Sequence, residues 1–249
     1  MTDSIRKVAV ITGSAQGIGF AIAKKLATQG ISVVIADING EKACASAEAL
    51  CVEGWDAKGF FCDVSSSESL QSLMQQTCDT FGQIDILVNN AGILHSTPLT
   101  DVKEPEWDKV MAVNLKSVFF GSQKALPYLS KSPHPRIVNI SSLAGRMGGY
   151  ETGLAYTASK GGIISLTYGL ARQLAPMGIT VNCVCPGTTE TEIIKCWDQD
   201  KIDSLKARIP LNRLGKPENI ASAVAYLASD EAEFITGLLM DVNGGMYFG

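Results

Sequence analysis

Residues 7–19 read KVAVITGSAQGIG, and this stretch decides the fold class. Lys7–Thr12 is an apolar run of strand length, and glycines follow it at positions 13, 17 and 19. From Gly17 to Gln29 the apolar residues recur every three or four positions, which predicts a helix that ends at Gly30. A buried strand that passes through a glycine-rich turn into a helix is typical of the first unit of a parallel α/β sheet.

The same alternation of strand and helix continues along the chain. Apolar runs predict further strands at Ser32–Asp37, Asp56–Cys62, Ile84–Asn89, Arg136–Ser141, Thr180–Cys185 and Leu238–Asp241. Helical periodicity predicts helices from Asn39 to about Cys51 and over Ser66–Phe81, Glu104–Ser130, Leu154–Ala175 and Pro217–Leu227. Continuously apolar strands indicate a doubly wound α/β fold, with a parallel sheet covered on both faces. We expect a single domain over residues 1–249, with the weakly patterned segment 188–213 as a mobile cover over the functional site.

The composition excludes several classes of protein. The 249 residues carry a net charge of -4 and no basic stripe, so we expect no nucleic-acid binding. No apolar stretch is long enough to span a membrane, and the polar residues 1–7 do not resemble a signal peptide. Seven cysteines without metal-ligand spacing and only two histidines predict no metal site and a reducing, cytoplasmic setting.

The glycine-rich turn also predicts a binding site for the phosphates of a dinucleotide. Gly13 permits a tight turn, Gly17 lets the backbone approach a pyrophosphate, and Gly19 lets the helix lie close to the strand. The start of the helix offers unpaired N–H groups and a positive dipole end to the phosphate.

Asp37 ends the second predicted strand, eighteen residues after Gly19. A carboxylate at this place accepts hydrogen bonds from the adenosine ribose hydroxyls. It would repel a 2′-phosphate, and the uncharged Gln16 supplies no cation for one, so both residues favour NAD over NADP. In the alternative interpretation, Asp37 caps the helix that follows it.

Tyr156 and Lys160 lie four residues apart within a predicted helix, so both side chains project from one face. A lysine ammonium beside a phenol favours the phenolate and lowers the phenol pKa from about 10, which makes it an acid or base near neutral pH. Taken alone, the pair is more typical of a packed ring beside a solvated lysine stem.

Four motifs occur along the chain in a fixed order. They are Thr12-Gly13-x3-Gly17-Ile18-Gly19, Asn89-Asn90-Ala91-Gly92, Tyr156-x3-Lys160 with Ser142 upstream, and Pro186-Gly187 after the sixth strand. With Ile235-Thr236-Gly237 and Asn243-Gly244-Gly245, they resemble the short-chain dehydrogenase/reductase family over essentially the whole chain. The resemblance implies a seven-stranded Rossmann-type sheet and a nicotinamide cofactor.

The resemblance further implies a catalytic set of Asn114, Ser142, Tyr156 and Lys160. Ser142 fits the family's Ser-x-x-Gly pattern, which leaves the adjacent Ser141 as a structural residue or a cofactor contact. In this set Tyr156 exchanges a proton with the substrate oxygen. Lys160 binds the nicotinamide ribose, and Asn114 holds a water that relays the proton.

Contacts with the cofactor and the substrate are implied in the same way. The predicted cofactor-binding residues are Gly13, Ser14, Gln16, Gly17, Ile18, Gly19, Asp37, Ile38, Asp63, Val64, Asn90, Ala91, Gly92, Ile140, Tyr156, Lys160, Pro186, Gly187 and Thr191. The predicted substrate pocket comprises Leu94, His95, Met147, Tyr150, Glu151, Leu154, Glu190, Ile193 and Trp197. Alternatively, His95, Glu151 and Glu190 are solvated loop residues, and Trp197 packs at a subunit contact.

We therefore expect an NAD-dependent oxidoreductase that interconverts a secondary alcohol and its ketone, with a polyol, sugar alcohol or small hydroxy compound as substrate. A 3-oxoacyl-[acyl-carrier-protein] reductase is the first alternative, because residues 235–237 and 243–245 resemble those enzymes as well. A non-catalytic dinucleotide sensor is the second alternative. Small residues on the helices around 111–125 and 155–171, together with the resemblance, predict a homodimer or homotetramer.

Overall fold

Seven strands form one parallel sheet in the computed structural model, which describes residues 6–149, 152–191 and 198–249. They are β1 (Val8–Thr12), β2 (Ser32–Asp37), β3 (Ala57–Phe61), β4 (Ile86–Asn89), β5 (Arg136–Ile140), β6 (Thr180–Pro186) and β7 (Leu239–Val242). Their order across the sheet is β3-β2-β1-β4-β5-β6-β7. The winding direction therefore switches between β1 and β4, which is where open α/β sheets bind ligands.

Helices cover both faces of this sheet. They are α1 (Gly17–Ala27), α2 (Gly40–Val52), α3 (Ser67–Phe81), α4 (Glu104–Met111), α5 (Ser117–Leu129), α6 (Leu143–Met147), α7 (Leu154–Leu174), α8 (Gln199–Ala207) and α9 (Pro217–Leu227). Because side chains alternate along a strand, Ile11 of β1 joins the core under α1, α2 and α9, whereas Val10 joins the core under α3, α5 and α7. The predicted doubly wound, Rossmann-type sheet is confirmed.

The helix predicted over Glu104–Ser130 is divided into three parts. A π-helical turn at Ala112–Lys116 separates α4 from α5. A π-turn inserts one extra residue and so rotates the helix face, and such turns are frequent at functional sites. Asn114 lies at the centre of this turn and is fully buried.

The sequence pattern predicts neither α6 nor α8. The first directly follows Ser142, and the second lies within the segment 188–213, which the pattern leaves without structure. That this segment moves over the site stays a prediction, and residues 192–197 lie outside the described part of the chain. None of the described helices is long and apolar enough to cross a membrane.

Candidate active site

A cleft of about 790 Å³ opens at the carboxyl ends of the strands, beside the switch between β1 and β4. Its walls include residues that end or follow five different strands, namely Gly13, Asp37, Asn90, Ile140 and Pro186. Of the predicted cofactor residues, the walls contain Gly13, Gln16, Gly17, Ile18, Gly19, Asp37, Ile38, Asp63, Val64, Asn90, Ala91, Gly92, Ile140, Tyr156, Lys160, Pro186, Gly187 and Thr191. The fold thus brings nearly all of this set into one cleft, while its binding role stays a prediction.

Three glycines in the loop after β1 and the first turn of α1 meet local requirements that favour glycine. Gly13 and Gly17 adopt φ angles of +61° and +59°. A Cβ atom at Gly19 would lie 2.4 Å from the carbonyl oxygen of Gly13. Among the described residues, no side chain caps the start of α1, so its first N–H groups are available to an anion.

The Asp37 carboxylate is held in a fixed orientation beside this loop. Its Oδ2 accepts a hydrogen bond from the N–H of Ala15, and its Oδ1 accepts one from the N–H of Asn39, each at 3.1 Å. Asn39, not Asp37, caps α2, because its side chain accepts a hydrogen bond from the N–H of Lys42. Each oxygen of Asp37 keeps a lone pair for a ribose hydroxyl. The loop, the carboxylate and the size of the cleft fit a nicotinamide dinucleotide.

Ser142, Tyr156 and Lys160 meet in the same cleft. Ser142 follows β5 and caps α6, since its Oγ accepts a hydrogen bond from the N–H of Ala144 at 3.1 Å. Tyr156 lies in the first turn of α7, and its phenol lies close enough to the Ser142 hydroxyl for the two groups to influence each other's charge. The Lys160 Nζ lies 5.7 Å from the centre of the Tyr156 ring and donates to the backbone oxygen of Ile140 at 2.9 Å. The fold therefore assembles the predicted acid–base group.

Contacts between β5, α6 and α7 fix the relative positions of these side chains. The buried Ser141 hydroxyl donates to the backbone oxygen of Lys160 at 2.8 Å, so it has a structural role. A Cβ atom at Gly145 would lie 2.7 Å from the backbone carbon of Lys160, because α6 packs directly on α7. Ser142 and Tyr156 are thus held by backbone packing rather than by flexible loops.

Burial reverses the expected direction of the Tyr156 pKa. The Tyr156 side chain is partly exposed to the cleft, yet protein atoms surround its phenol closely, and burial raises the pKa above its ordinary value of 10. The nearby Ser142 hydroxyl lowers the pKa, but by less. The expected net lowering of this pKa is therefore not found in the protein without bound ligand, because burial is the larger effect. Helical spacing reveals the neighbouring amine, but it does not reveal how deeply the fold encloses the phenol.

Lys160→Met is expected to remove a pH-dependent part of the stability. Burial lowers the pKa of the Lys160 ammonium from 10.5 to about 8, although Cys183 and Cys185 raise it. Between these pH values the unfolded chain binds more protons than the folded protein, so this group's contribution to stability rises with pH. Relative to the variant, the wild-type protein should gain up to about 3 kcal/mol of unfolding free energy between about pH 7 and 11. Urea denaturation without nucleotide measures this gain, and a pH-independent difference would contradict it.

Asn114 lies behind the cleft rather than in its wall. Its Oδ1 accepts a hydrogen bond from the N–H of Ile93 at 2.8 Å, and its Nδ2 donates to the Ile93 oxygen at 3.0 Å. It also donates to Ser159 at 3.1 Å. A Cβ atom at Gly92 would lie 3.3 Å from the Lys160 Nζ and 3.5 Å from the Asn114 Oδ1, so both side chains border this glycine. The π-turn thus places Asn114 beside Lys160.

A protein-family model described as enoyl-(acyl carrier protein) reductase matches residues 13–247. The chain belongs to the short-chain dehydrogenase/reductase family. As a member of this family, it is an oxidoreductase that uses a nicotinamide dinucleotide.

Curated members of the short-chain dehydrogenase/reductase family resemble the chain along its whole length. The 3-oxoacyl-[acyl-carrier-protein] reductase FabG of Vibrio cholerae serotype O1 is 43% identical over 242 residues, which are 97% of each chain. The enzymes of the same name from Escherichia coli K12 and Staphylococcus aureus Mu50 are 41% and 40% identical, with 97% of this chain covered in both comparisons. The crystal structure of gox2181 superimposes with a TM-score of 0.93 and 33% identity, covering 97% of this chain and 95% of that one.

These relatives overturn the expected substrate. A polyol or sugar alcohol dehydrogenase is the wrong interpretation, because relatives at 40–43% identity along the whole chain are named 3-oxoacyl-[acyl-carrier-protein] reductases. The alternative interpretation is the one that the comparisons favour. The physical reason is that the shared motifs encode hydride transfer and cofactor binding in this family, and they carry little information about the substrate.

Ser14 is the one predicted cofactor residue that does not line the cleft. Its side chain is fully buried beneath the phosphate loop. Its Oγ donates to the backbone oxygen of Ile11 at 2.7 Å and accepts from the N–H of Ala36 at 3.1 Å. Ser14 therefore joins β1 to β2 and stabilises the loop from below.

Among the described members of the predicted substrate pocket, Leu94 alone lines the cleft. His95 does not line the cleft although its neighbours Leu94 and Ser96 do, and its ring packs against Gly153. Leu154 is two helix positions from Tyr156 and faces solvent, with 55% of its surface exposed. Two further members lie elsewhere, Met147 at the end of α6 and Glu190 in a second cavity. Tyr150, Glu151, Ile193 and Trp197 lie outside the described residues.

Several cleft residues escape the motif-based prediction. They are Cys62, Ile93, Ser96, Lys109, Val113, Leu143, Ala144, Gly148, Gly149, Thr152, Thr188, Thr189, Lys201, Leu205, Arg208 and Met246. The sequence carries a weak helical signal for three of them, because Lys201, Leu205 and Arg208 have the spacing of residues on one face of a helix. Lys109, Val113, Leu143 and Ala144 lie on helical turns, and the others lie on loops whose course only the fold determines.

Proposed function

We propose that this protein reduces the 3-oxo group of an acyl thioester carried on acyl carrier protein to a 3-hydroxy group. The observation that carries this proposal is the whole-length similarity, at 40–43% identity, to reductases of that name. The position of Ser142 and Tyr156 in the cleft supports it. The nicotinamide dinucleotide supplies the hydride when bound.

In this proposal Tyr156 donates the proton that the reduced carbonyl oxygen needs. The phenol, whose pKa burial raises, is protonated at neutral pH and therefore has a proton to donate. Ser142 orients the substrate oxygen and donates a hydrogen bond to the phenolate that proton transfer leaves behind. A general acid of this kind contributes about 10²–10⁴-fold to the rate.

Lys160 and Asn114 support this acid. Below about pH 8 the Lys160 ammonium is charged, and it stabilises the negative charge that develops on Tyr156. Asn114 borders Gly92 together with Lys160, and we propose that a water beside them returns a proton from solvent to the phenolate.

NADH is the proposed coenzyme, and Asp37→Ser is expected to shift the preference towards NADPH. The substitution removes a charged acceptor of ribose hydroxyls and the repulsion that acts on a 2′-phosphate. A hydrogen bond to a charged group contributes about 1.5–3 kcal/mol, so the ratio of kcat/KM for NADPH to that for NADH should rise at least about tenfold. Asp79→Ser, on the exposed face of α3, removes the same charge far from the cleft and should leave the ratio unchanged. An unaltered ratio in Asp37→Ser would show that Asp37 does not determine the coenzyme preference.

We further propose that the chain forms a homodimer or homotetramer in the cytoplasm. Trp107 of α4, Phe119 of α5 and Tyr168 of α7 are 39%, 44% and 42% exposed, and exposed aromatic residues favour a protein contact. The cysteines of the described residues are free thiols, which is consistent with a reducing compartment.

A comparison of substrates tests the proposed function. The purified protein is assayed for NADH and NADPH oxidation with 3-oxobutanoyl and longer 3-oxoacyl thioesters on acyl carrier protein, and with simple ketones as controls. We expect kcat/KM for the carrier-bound thioesters to exceed that for the ketones by at least about a hundredfold. The reason is that binding of the parts of the substrate remote from the carbonyl group lowers the free energy of the transition state. No turnover of any 3-oxoacyl thioester with either coenzyme would reject the proposal.

A further inference from the structure

A cation contacts the wall of the cleft at Gln16. Lys42 lies in the first turn of α2, and its exposed Nζ donates a hydrogen bond to the Gln16 side chain. Gln16 lines the cleft and immediately precedes Gly17 of the phosphate loop. The sequence alone indicates an uncharged Gln16 at this place, but the fold adds a positive charge from a residue 26 positions further on.

Backbone contacts hold Lys42 in this position. The Asn39 side chain, which caps α2, accepts from the Lys42 N–H at 3.0 Å, and the Asn39 N–H donates to Asp37 at 3.1 Å. One turn further along α2, Ser46 donates to the backbone oxygen of Ala15 at 2.9 Å. The first two turns of α2 are thus joined both to Asp37 and to the phosphate loop. This packing fixes the backbone from which the Lys42 side chain reaches Gln16.

The ammonium retains hydrogen-bonding capacity. A lysine ammonium carries three donors, and among the described residues the Lys42 Nζ donates to the single Gln16 oxygen. Asp37 and Lys42 together are electrically neutral, so the repulsion of a 2′-phosphate by Asp37 is offset by an attraction nearby. The exposed position means that salt screens this attraction.

We propose that Lys42, held by Gln16, recognises the 2′-phosphate of NADP(H) and lets this cleft use both coenzymes despite Asp37. Asp37 provides the contact that favours NAD, and Lys42 limits the discrimination against NADP. The inference rests on the proposed nucleotide site, but it does not depend on which carbonyl compound is reduced.

Binding of nucleotide fragments to the protein without coenzyme tests this proposal. The probes are 2′,5′-ADP, which carries the 2′-phosphate, and 5′-AMP, which lacks it, each titrated by calorimetry at low salt. We expect the wild-type protein to bind both, and Lys42→Gln to weaken 2′,5′-ADP about tenfold while 5′-AMP changes less than about twofold. The wild-type affinity for 2′,5′-ADP should also fall more steeply with salt than that of the variant.

Lys58→Gln is the matched control. Lys58 is exposed on β3, and its removal changes the net charge equally without touching the phosphate loop. It should leave both affinities unchanged, and thermal unfolding verifies that both variants are folded. Equal weakening of the two probes by Lys42→Gln, or no weakening of 2′,5′-ADP, overturns the role of Lys42 while leaving the nucleotide site intact. Failure of the wild-type protein to bind either probe overturns both the site and this inference.

Discussion

Tyr156→Phe is expected to lower kcat for 3-oxoacyl thioester reduction by about a thousandfold, within the range known for general acids. The substitution removes one oxygen and keeps the ring, which lies in the first turn of α7 and lines the cleft. Without the phenolic proton, the reduced carbonyl oxygen must take its proton from water. NADH affinity, measured by fluorescence titration, should change less than about threefold, because the effect falls on the chemical step and not on binding.

Tyr168→Phe provides the control for this variant. Tyr168 lies on the same helix, is 42% exposed, and does not belong to the residues that line the cleft. It should retain nearly the wild-type kcat. Near-normal kcat in Tyr156→Phe as well would remove this residue from the role of proton donor.

Gly19→Ala should cause the second large loss, this time in nucleotide binding. The added Cβ would lie 2.4 Å from the oxygen of Gly13, 2.6 Å from Nδ2 of Asn90 and 2.6 Å from Cα of Ser14. Two of these neighbours are backbone atoms of the phosphate loop, which cannot rotate away as a side chain can. The loop must shift, which costs about 1–3 kcal/mol of stability and weakens NADH binding at least about tenfold.

Gly30→Ala separates a loss of stability from a loss of binding. Gly30 follows α1 with φ of +81° and has open space around its Cβ position. Alanine there costs about 1–2 kcal/mol for the left-handed backbone, yet NADH affinity should stay at the wild-type value. Calorimetry and chemical denaturation measure both quantities. If Gly19→Ala binds NADH as tightly as the wild type does, the close packing of this loop has no part in nucleotide binding.

Strands and long helices could be predicted because their signals are local. The strands β1 and β2 are continuous apolar runs, and burial on both faces of a parallel sheet demands such runs. The helix α6 has only five residues, and α8 is mostly polar, so neither carries enough periodicity. The π-turn at Ala112–Lys116 leaves the apolar pattern intact and changes only which face each residue occupies.

The residues of the candidate site also fall into two groups, those that a local pattern predicts and those that it does not. Motif residues such as Gly13, Asp37 and Tyr156 could be assigned because the required chemistry restricts the residue type at a set spacing. The burial of Ser14 and the contact between Lys42 and Gln16 depend on how distant segments pack, which no local pattern reveals.

The substrate is the largest correction. The motifs that identify hydride transfer do not distinguish a polyol from an acyl thioester. The charge of Asp37 does not distinguish them either, since Asp37 ends β2 beside the phosphate loop and bears on the coenzyme, not on the reacting carbonyl group. Whole-length similarity to named 3-oxoacyl reductases carries the information that the motifs lack.

A crystal structure with oxidised coenzyme and a 3-hydroxyacyl thioester tests the central claim most directly. The Tyr156 oxygen should lie about 2.6–3.2 Å from the 3-hydroxyl oxygen, with Ser142 hydrogen-bonded to the same atom. A thioester bound with that oxygen out of reach of Tyr156, or held by a different acidic group, would contradict the account.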